Sequence, residues 1–306
     1  MPSPGALPRC AAWCLVALAL LGCGRAQPTV PAVVETIPVE EEEPWPLQEA
    51  INIKIKDQPD PGKRLVIRQT QREAGVRRVL DPAGSLLREE TPAQMREIVA
   101  LLSAEGGAAR KLNLTIQKDS WTQDKTTRPG PLLGRTIFLD QQGNRWKATS
   151  TGNPPLPADV LDAAALDMQT RLPPLLPPGK PVQIGERWPL REALLLDRFA
   201  PLGVIPPATG AVRLVRASRK DGRQWGRLEF TLSLSLRDTQ TPKMSGPCTL
   251  DISGHLEAAL DASSTASTLG TTVKLTSDFV WDRGGGKLQV KSTTETTTTE
   301  ERSEEK

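Results

Sequence analysis

Tyrosine is missing from the chain, histidine occurs once, and phenylalanine occurs only four times. The single histidine, His255, excludes any site that needs two or more histidine ligands, such as H-E-x-x-H; a site joining one histidine to other ligand types stays open. No G-x-S-x-G elbow is present, and the glycine run Gly284-Gly285-Gly286-Lys287 lacks the spacing of a phosphate-binding loop. It reads as a hairpin turn. Long apolar runs are equally scarce. The one clear run, Cys10–Leu21, is too short for a bilayer core of about 30 Å, which takes about 20 residues in a helix, but it fits the apolar region of an export signal.

That run ends in Leu20-Leu21-Gly22-Cys23, with Arg9 as the only charge before it. The four residues resemble the lipobox of bacterial lipoproteins. The resemblance implies removal of residues 1–22 as a signal peptide, diacylglycerol on the Cys23 sulfur, and a further fatty acyl chain, such as palmitate, on the new amino end. Several acyl chains on one residue make a stable anchor, where a single chain is marginal. Gly24 leaves the outer membrane as the expected destination, with the face of the membrane open. An ordinary signal peptide with an incidental Cys23 is the alternative. Cys10 and Cys14 would depart with the signal and Cys23 would be lipidated, so Cys248 stands alone and no intrachain disulfide forms. The exported domain must then be held by its core, which a chain of this length can bury.

Charge is unevenly spread. Glu35 and Glu40 to Glu43 make the N-terminal arm acidic, and Glu295, Glu300, Glu301, Glu304 and Glu305 do the same at the C-terminus, with basic residues in excess between them. An ordinary solvated surface explains this; a basic surface for an anionic partner is the sharper reading. No arginine and lysine cluster interleaved with aromatics is present, so no nucleic-acid partner is expected. Residues 23–46 join repeated proline to a glutamate run and read as a disordered tether, and 293–306 read as a disordered Thr/Glu tail.

Between these arms the apolar period is two. Leu228, Phe230, Leu232, Leu234 and Leu236 alternate with polar residues, and the pattern recurs at 250–260, 273–281 and 288–290, with turns at Lys220-Asp221-Gly222-Arg223 and Arg283–Gly286. This predicts an antiparallel β meander over 173–292. In the N-terminal half, 47–172, Ile51, Ile53 and Ile55 alternate; Arg64–Arg72 and Gly75–Leu80 suggest a hairpin; Leu112, Leu114 and Ile116 alternate again. Strands flanking Asp140-Gln141-Gln142-Gly143 are expected at Arg135–Leu139 and Arg145–Thr149. Two helices are predicted: Thr91–Leu102, with Thr91 as cap, Pro92 at its first position and Met95, Ile98, Val99 and Leu102 on one core-facing stripe, and Ala158–Arg171. The predicted fold is α+β and mainly antiparallel β: two β-rich halves with about two helices, as a curved sheet or half-barrel around them.

Leu172 and Pro173 lead a proline-rich crossing into Ile184-Gly185-Glu186-Arg187-Trp188, a tight turn that sets an indole at the core edge. Leu172, Pro173, Ile184, Gly185, Glu186 and Trp188, with the order of strands around them, resemble a family of uncharacterised bacterial envelope lipoproteins, a domain of unknown function. The resemblance implies a structural turn and no catalytic residue.

Chemistry-bearing residues are few. His255 has the parity opposite to Ile252, Leu256, Ala258 and Leu260, which puts it on the wet face beside Glu257; Cys248 sits at a strand entrance as a small half-buried thiol. Asn113-Leu114-Thr115 is a chance sequon if the host is bacterial. No catalytic motif, metal site or cofactor is expected. The reading is a lipid-anchored cell-envelope protein: a non-catalytic binding or structural module for a lipid, an envelope polymer or a protein partner, joined to the membrane through Cys23. The alternative is a hydrolase of an envelope polymer working through two carboxylates, which needs no histidine.

Overall fold

The computed structural model describes residues 43–105, 111–143, 145–237, 244–282 and 287–305. The lipobox residues Leu20, Leu21, Gly22 and Cys23, the signal 1–22 and the tether up to 42 lie outside them. The described chain is α+β and mainly antiparallel β, a single curved and unclosed sheet with two α-helices.

In chain order the strands are β1 (Glu43–Pro44), β2 (Arg64–Leu80), β3 (Leu86–Glu90), β4 (Ala93–Ala104), β5 (Lys111–Gln123), β6 (Thr126–Pro129), β7 (Thr136–Gln142), β8 (Arg145–Thr151), β9 (Arg187–Pro189), β10 (Val204–Lys220), β11 (Arg223–Leu236), β12 (Met244–Ser245), β13 (Cys248–Ala259), β14 (Ser267–Asp282) and β15 (Lys287–Glu304). Helix α1 spans Ala158–Thr170 and α2 spans Glu192–Arg198. Along the sheet the order is β1-β10-β11-β13-β14-β15-β2-β4-β5-β7-β8. Each half is a meander, and the pairing of β15 with β2 sews the two together.

Two apolar clusters lie on the inner face. The N-terminal one gathers Leu65, Ile67, Ile98, Leu102, Leu112, Ile137 and Leu139 under Ala164 and Met168 of α1. The C-terminal one gathers Val212, Leu214, Leu228 to Leu236, Leu250, Ile252 and Leu256 under Leu172, Leu176, Trp188, Leu195 and Phe199. Long strands with one buried face and one wet face need such covers, because their apolar face is otherwise open to water.

The C-terminal meander and the 136–151 hairpin form as expected, and α1 matches the predicted helix at 158–171 within a residue. Four expectations are corrected. Thr91–Leu102 is not a helix: its residues from Ala93 on form β4, paired to β2 and β5. The segment satisfies both apolar periods, and pairing on two sides settles the matter by placing Arg96, Ile98, Ala100 and Leu102 inward together. The suggested hairpin at 64–80 is one 17-residue strand. Gly75 marks a close backbone approach and not a turn, since a Cβ there would stand 2.7 Å from the Thr293 carbonyl oxygen.

The supposed disordered tail is β15, paired along its length with β14 and β2 at the middle of the sheet. Its composition hid a strict period of two: Thr294, Thr296, Thr298, Glu300 and Arg302 all face inward, and threonine favours the pleated strand. The tether also ends sooner than residue 46, because Glu43 and Pro44 pair with β10 and Trp45 is buried. Helix α2 and the 3₁₀ turns at Pro173–Leu175 and Ala200–Leu202 carried no clear sequence signal.

Candidate functional site

Each predicted site residue in the body has a structural place. Gly185 adopts a left-handed conformation, φ +89°, that only glycine takes without strain. Glu186 accepts hydrogen bonds from Lys180 Nζ at 2.8 Å and from the Gln183 backbone N–H at 3.1 Å, and these donors hold its carboxyl below the usual range. Trp188 is buried, its indole N–H donating to the Leu176 carbonyl at 3.0 Å. These three residues pin the Leu-Pro crossing onto β10 and reach no catalytic group. His255 lies on the outer face across from Glu229, its ring over Gly270; burial, followed by the charge of Arg227, holds its pKa below the usual value. Cys248 is buried at the start of β13. Among the described residues no cluster of three or more His, Cys, Asp or Glu could cage a metal ion, and no helix is long and apolar enough to cross a membrane.

The site with the most chemistry was missed by the sequence reading. It lies where the two halves meet. Moving from Leu65 and Ile67 along β2, the inward positions become Gln69, Gln71 and Glu73, and directly across on β15 stand Glu300, Thr298 and Thr296. A polar seam thus separates the two apolar clusters. The sequence signal was available: these polar residues keep the inward parity of Leu65 and Ile67.

Inside the seam, Gln69 Nε2 donates to Glu300 Oε2 at 2.5 Å, and Arg302 bonds Glu300 Oε1 from two of its nitrogens. Arg302 Nη1 also donates to the Asp57 carbonyl at 3.1 Å. Helix α1 ends above this row and delivers Asp167 and Arg171. The Arg171 side chain is only 8% exposed; its Nη2 stands 4.0 Å from Glu300 Oε1, and that nitrogen has no hydrogen-bond partner. Arg198, on α2, donates from Nη2 to the Arg171 carbonyl at 3.1 Å, while its Nε is buried without an acceptor. A buried donor left so costs about 1–3 kcal/mol.

Burial sets the protonation of the two carboxyls. It pushes Glu300 up to about 7, opposed by Arg171 and reinforced by Asp167, and it pushes Asp167 up to about 6, opposed by Arg171. Near neutral pH the seam therefore gains a proton with little cost.

A cavity of about 70 Å³ opens here, with room for a few waters. Its lining mixes the polar Gln69, Asp167, Arg171, Glu300 and Arg302 with the apolar Leu172, Phe199, Leu250, Ile252, Leu269 and Val273, Leu269 standing directly across from Glu300 on the sheet. Cations and a hydrocarbon surface thus face one enclosed space.

No protein-family model matches the chain, and no curated protein matches it. Among solved structures the chain is similar to lipovitellin, in a structure of lipid–protein interactions in that protein, at 12% identity and a TM-score of 0.36, covering 79% of this chain and 25% of that one. The chain thus spans about a quarter of that lipovitellin chain. It is also similar to a mutant porin of Rh. blastica, at 7% identity and a TM-score of 0.20, over 78% of this chain and all of that one. Likenesses this weak carry no argument about function.

Proposed function

We propose that this protein is a lipid-anchored envelope module that binds an amphiphile with an acidic headgroup in the seam between its two cores. The anchor is the Cys23 lipidation expected from the lipobox, with the outer membrane as destination. The observation that carries the binding reading is the cavity's mixed lining, in which a buried arginine nitrogen with no hydrogen-bond partner among the described residues shares the space with apolar side chains. An acidic head would give Arg171 its missing acceptor, and a hydrocarbon tail would lie along Leu250, Ile252, Leu269 and Val273. The closed volume is below the about 300–1,000 Å³ of most ligand sites, so the Leu172–Leu176 crossing and the Phe199–Leu202 turn must move aside on binding.

The carboxylate hydrolase is the weaker reading. Asp167 and Glu300 do face one cavity, but both oxygens of Glu300 are engaged, one by Gln69 and the other by Arg302. A nucleophile or base needs a free oxygen at the substrate.

Native mass spectrometry of the full chain, extracted from membranes in a nonionic detergent, tests the binding. A noncovalent adduct with the mass of an acidic lipid is expected, and it should be lost with Arg171→Met. A bare chain mass in both proteins would overturn the reading. For the anchor, Cys23→Ala should leave an unprocessed, signal-bearing chain; soluble mature protein would refute lipidation.

A further inference from the structure

A second site lies on the opposite, outer face of the sheet, around Trp225. Its origin is a β-bulge. From Ala208 to Leu214 the even residues of β10 face inward, Val212 and Leu214 being fully buried, and by parity Arg216 would follow them into the core. The register shift between Leu214 and Arg216 interrupts the pairing with β11 and turns Arg216 outward. Bulges commonly re-aim a side chain in this way. From there Arg216, Ser218 and Lys220 share the outer face, and Trp225 stands directly across from Ser218.

These residues line a groove of about 430 Å³ that continues across the sheet to Arg68. Three features mark it as built for an anion. The first is charge: among the described residues neither Arg216 nor Lys220 forms an ion pair, and Arg216 stands across from another cation, Arg227. Like charges directly opposed destabilise a strand pair. Two acids share its lining: Glu257 pairs with Arg227 at 3.1 Å, and Glu301 stands across the strand from Arg68. The second is the Trp225 indole N–H, enclosed and without an acceptor, in the same position of need as Arg171 inside. The third is the hydroxyl of Ser218 between the two cations.

We propose that this groove binds a phosphate-bearing ligand, with Arg216 and Lys220 meeting the charge and the Trp225 indole and the Ser218 hydroxyl donating to the remaining oxygens. A phosphate offers several strong acceptors to donors arriving from different directions, which suits a guanidinium, an ammonium and neutral donors together. The groove has room for a phosphate carried on a larger group, such as a sugar or a glycerol. This site does not depend on the seam.

Calorimetric titration of the full chain in nonionic detergent tests it, with inorganic phosphate, glucose 1-phosphate and a water-soluble short-chain phosphatidylglycerol as probes. At least one probe should bind saturably at one per chain, and the combined Arg216→Gln and Lys220→Gln substitutions should weaken it tenfold or more. Arg171→Met should leave it unchanged, which separates this site from the seam. Preference for the sugar phosphate assigns a phosphorylated glycan, preference for the lipid assigns a headgroup, and equal binding of all three assigns the phosphate itself. Should the double variant not fold, Trp225→Phe, which removes only the donor, is read in its place and should weaken binding several-fold. Absence of saturable binding by every probe, or unchanged binding in the folded double variant or in Trp225→Phe, overturns the proposal.

Discussion

The two halves of the sheet meet the same demand by different means. The C-terminal half is held by a large and almost wholly apolar cluster, from Trp45 to Leu275. The smaller N-terminal cluster is accompanied by a buried ion pair: Arg96 binds Asp119 through two contacts, of 2.7 and 3.0 Å, the Leu132 backbone N–H donates to the same carboxylate at 3.0 Å, and the guanidinium stacks on Trp121. One half relies on area removed from water, so that a truncation leaves a local cavity. The other adds a directional lock among β4, β5 and the turn at 130–134. The seam lies between them, and there neither solution is complete.

The contrast is broken most sharply at Asp119. Asp119→Ala removes the carboxylate of this buried ion pair and should cost about 3–5 kcal/mol, with loss of the N-terminal half first. Leu214→Ala in the other core should cost a comparable 2–5 kcal/mol as a cavity, but without separating the halves. Urea denaturation followed by hydrogen exchange reads both; identical exchange patterns in the two variants would show that the halves do not differ.

The seam gives a smaller, pH-dependent effect. Because the folded pKa of Glu300, about 7, lies above its ordinary 4.5, the folded state holds the proton more tightly. Its contribution to stability is complete below pH 4.5 and is lost as pH rises through 7, a change on the order of 2–3 kcal/mol; Asp167 acts in the same direction between its ordinary 3.8 and about 6. Glu300→Gln should flatten this decline between pH 4.5 and 7. A wild-type stability that rises over that interval would contradict the assignment.

The smallest effect is expected at the turn. Trp188→Phe keeps the ring in the core and removes one hydrogen bond to Leu176, for about 1 kcal/mol by thermal melting. A loss several times larger would show that the turn holds the whole crossing in place.

The outline of this contrast was legible before any coordinates. Alternation at Leu228–Leu236 and Leu250–Leu260 gave the C-terminal meander, and Ala158 to Arg171 gave α1, because one-sided burial leaves its period in the sequence. Residues 93–104 were not legible, since Met95, Ile98, Val99 and Leu102 satisfy a helical stripe while Ile98, Ala100 and Leu102 satisfy a strand. The seam escaped because its inward residues are polar, and polarity is ordinarily the mark of the wet face.

By itself, then, the amino-acid sequence determined a strand-rich body and the Gly185–Trp188 turn, which follow from local composition and period; the lipid anchor at Cys23 is what the lipobox resemblance implies. Only the tertiary structure decided that β15 enters the sheet beside β2, that Gln69 and Glu300 meet 231 residues apart in the chain, and that a bulge turns Arg216 toward Trp225. These depend on which strand finds which partner. Long-range pairing is settled by the competition of whole surfaces for burial, and no local window of sequence contains that competition.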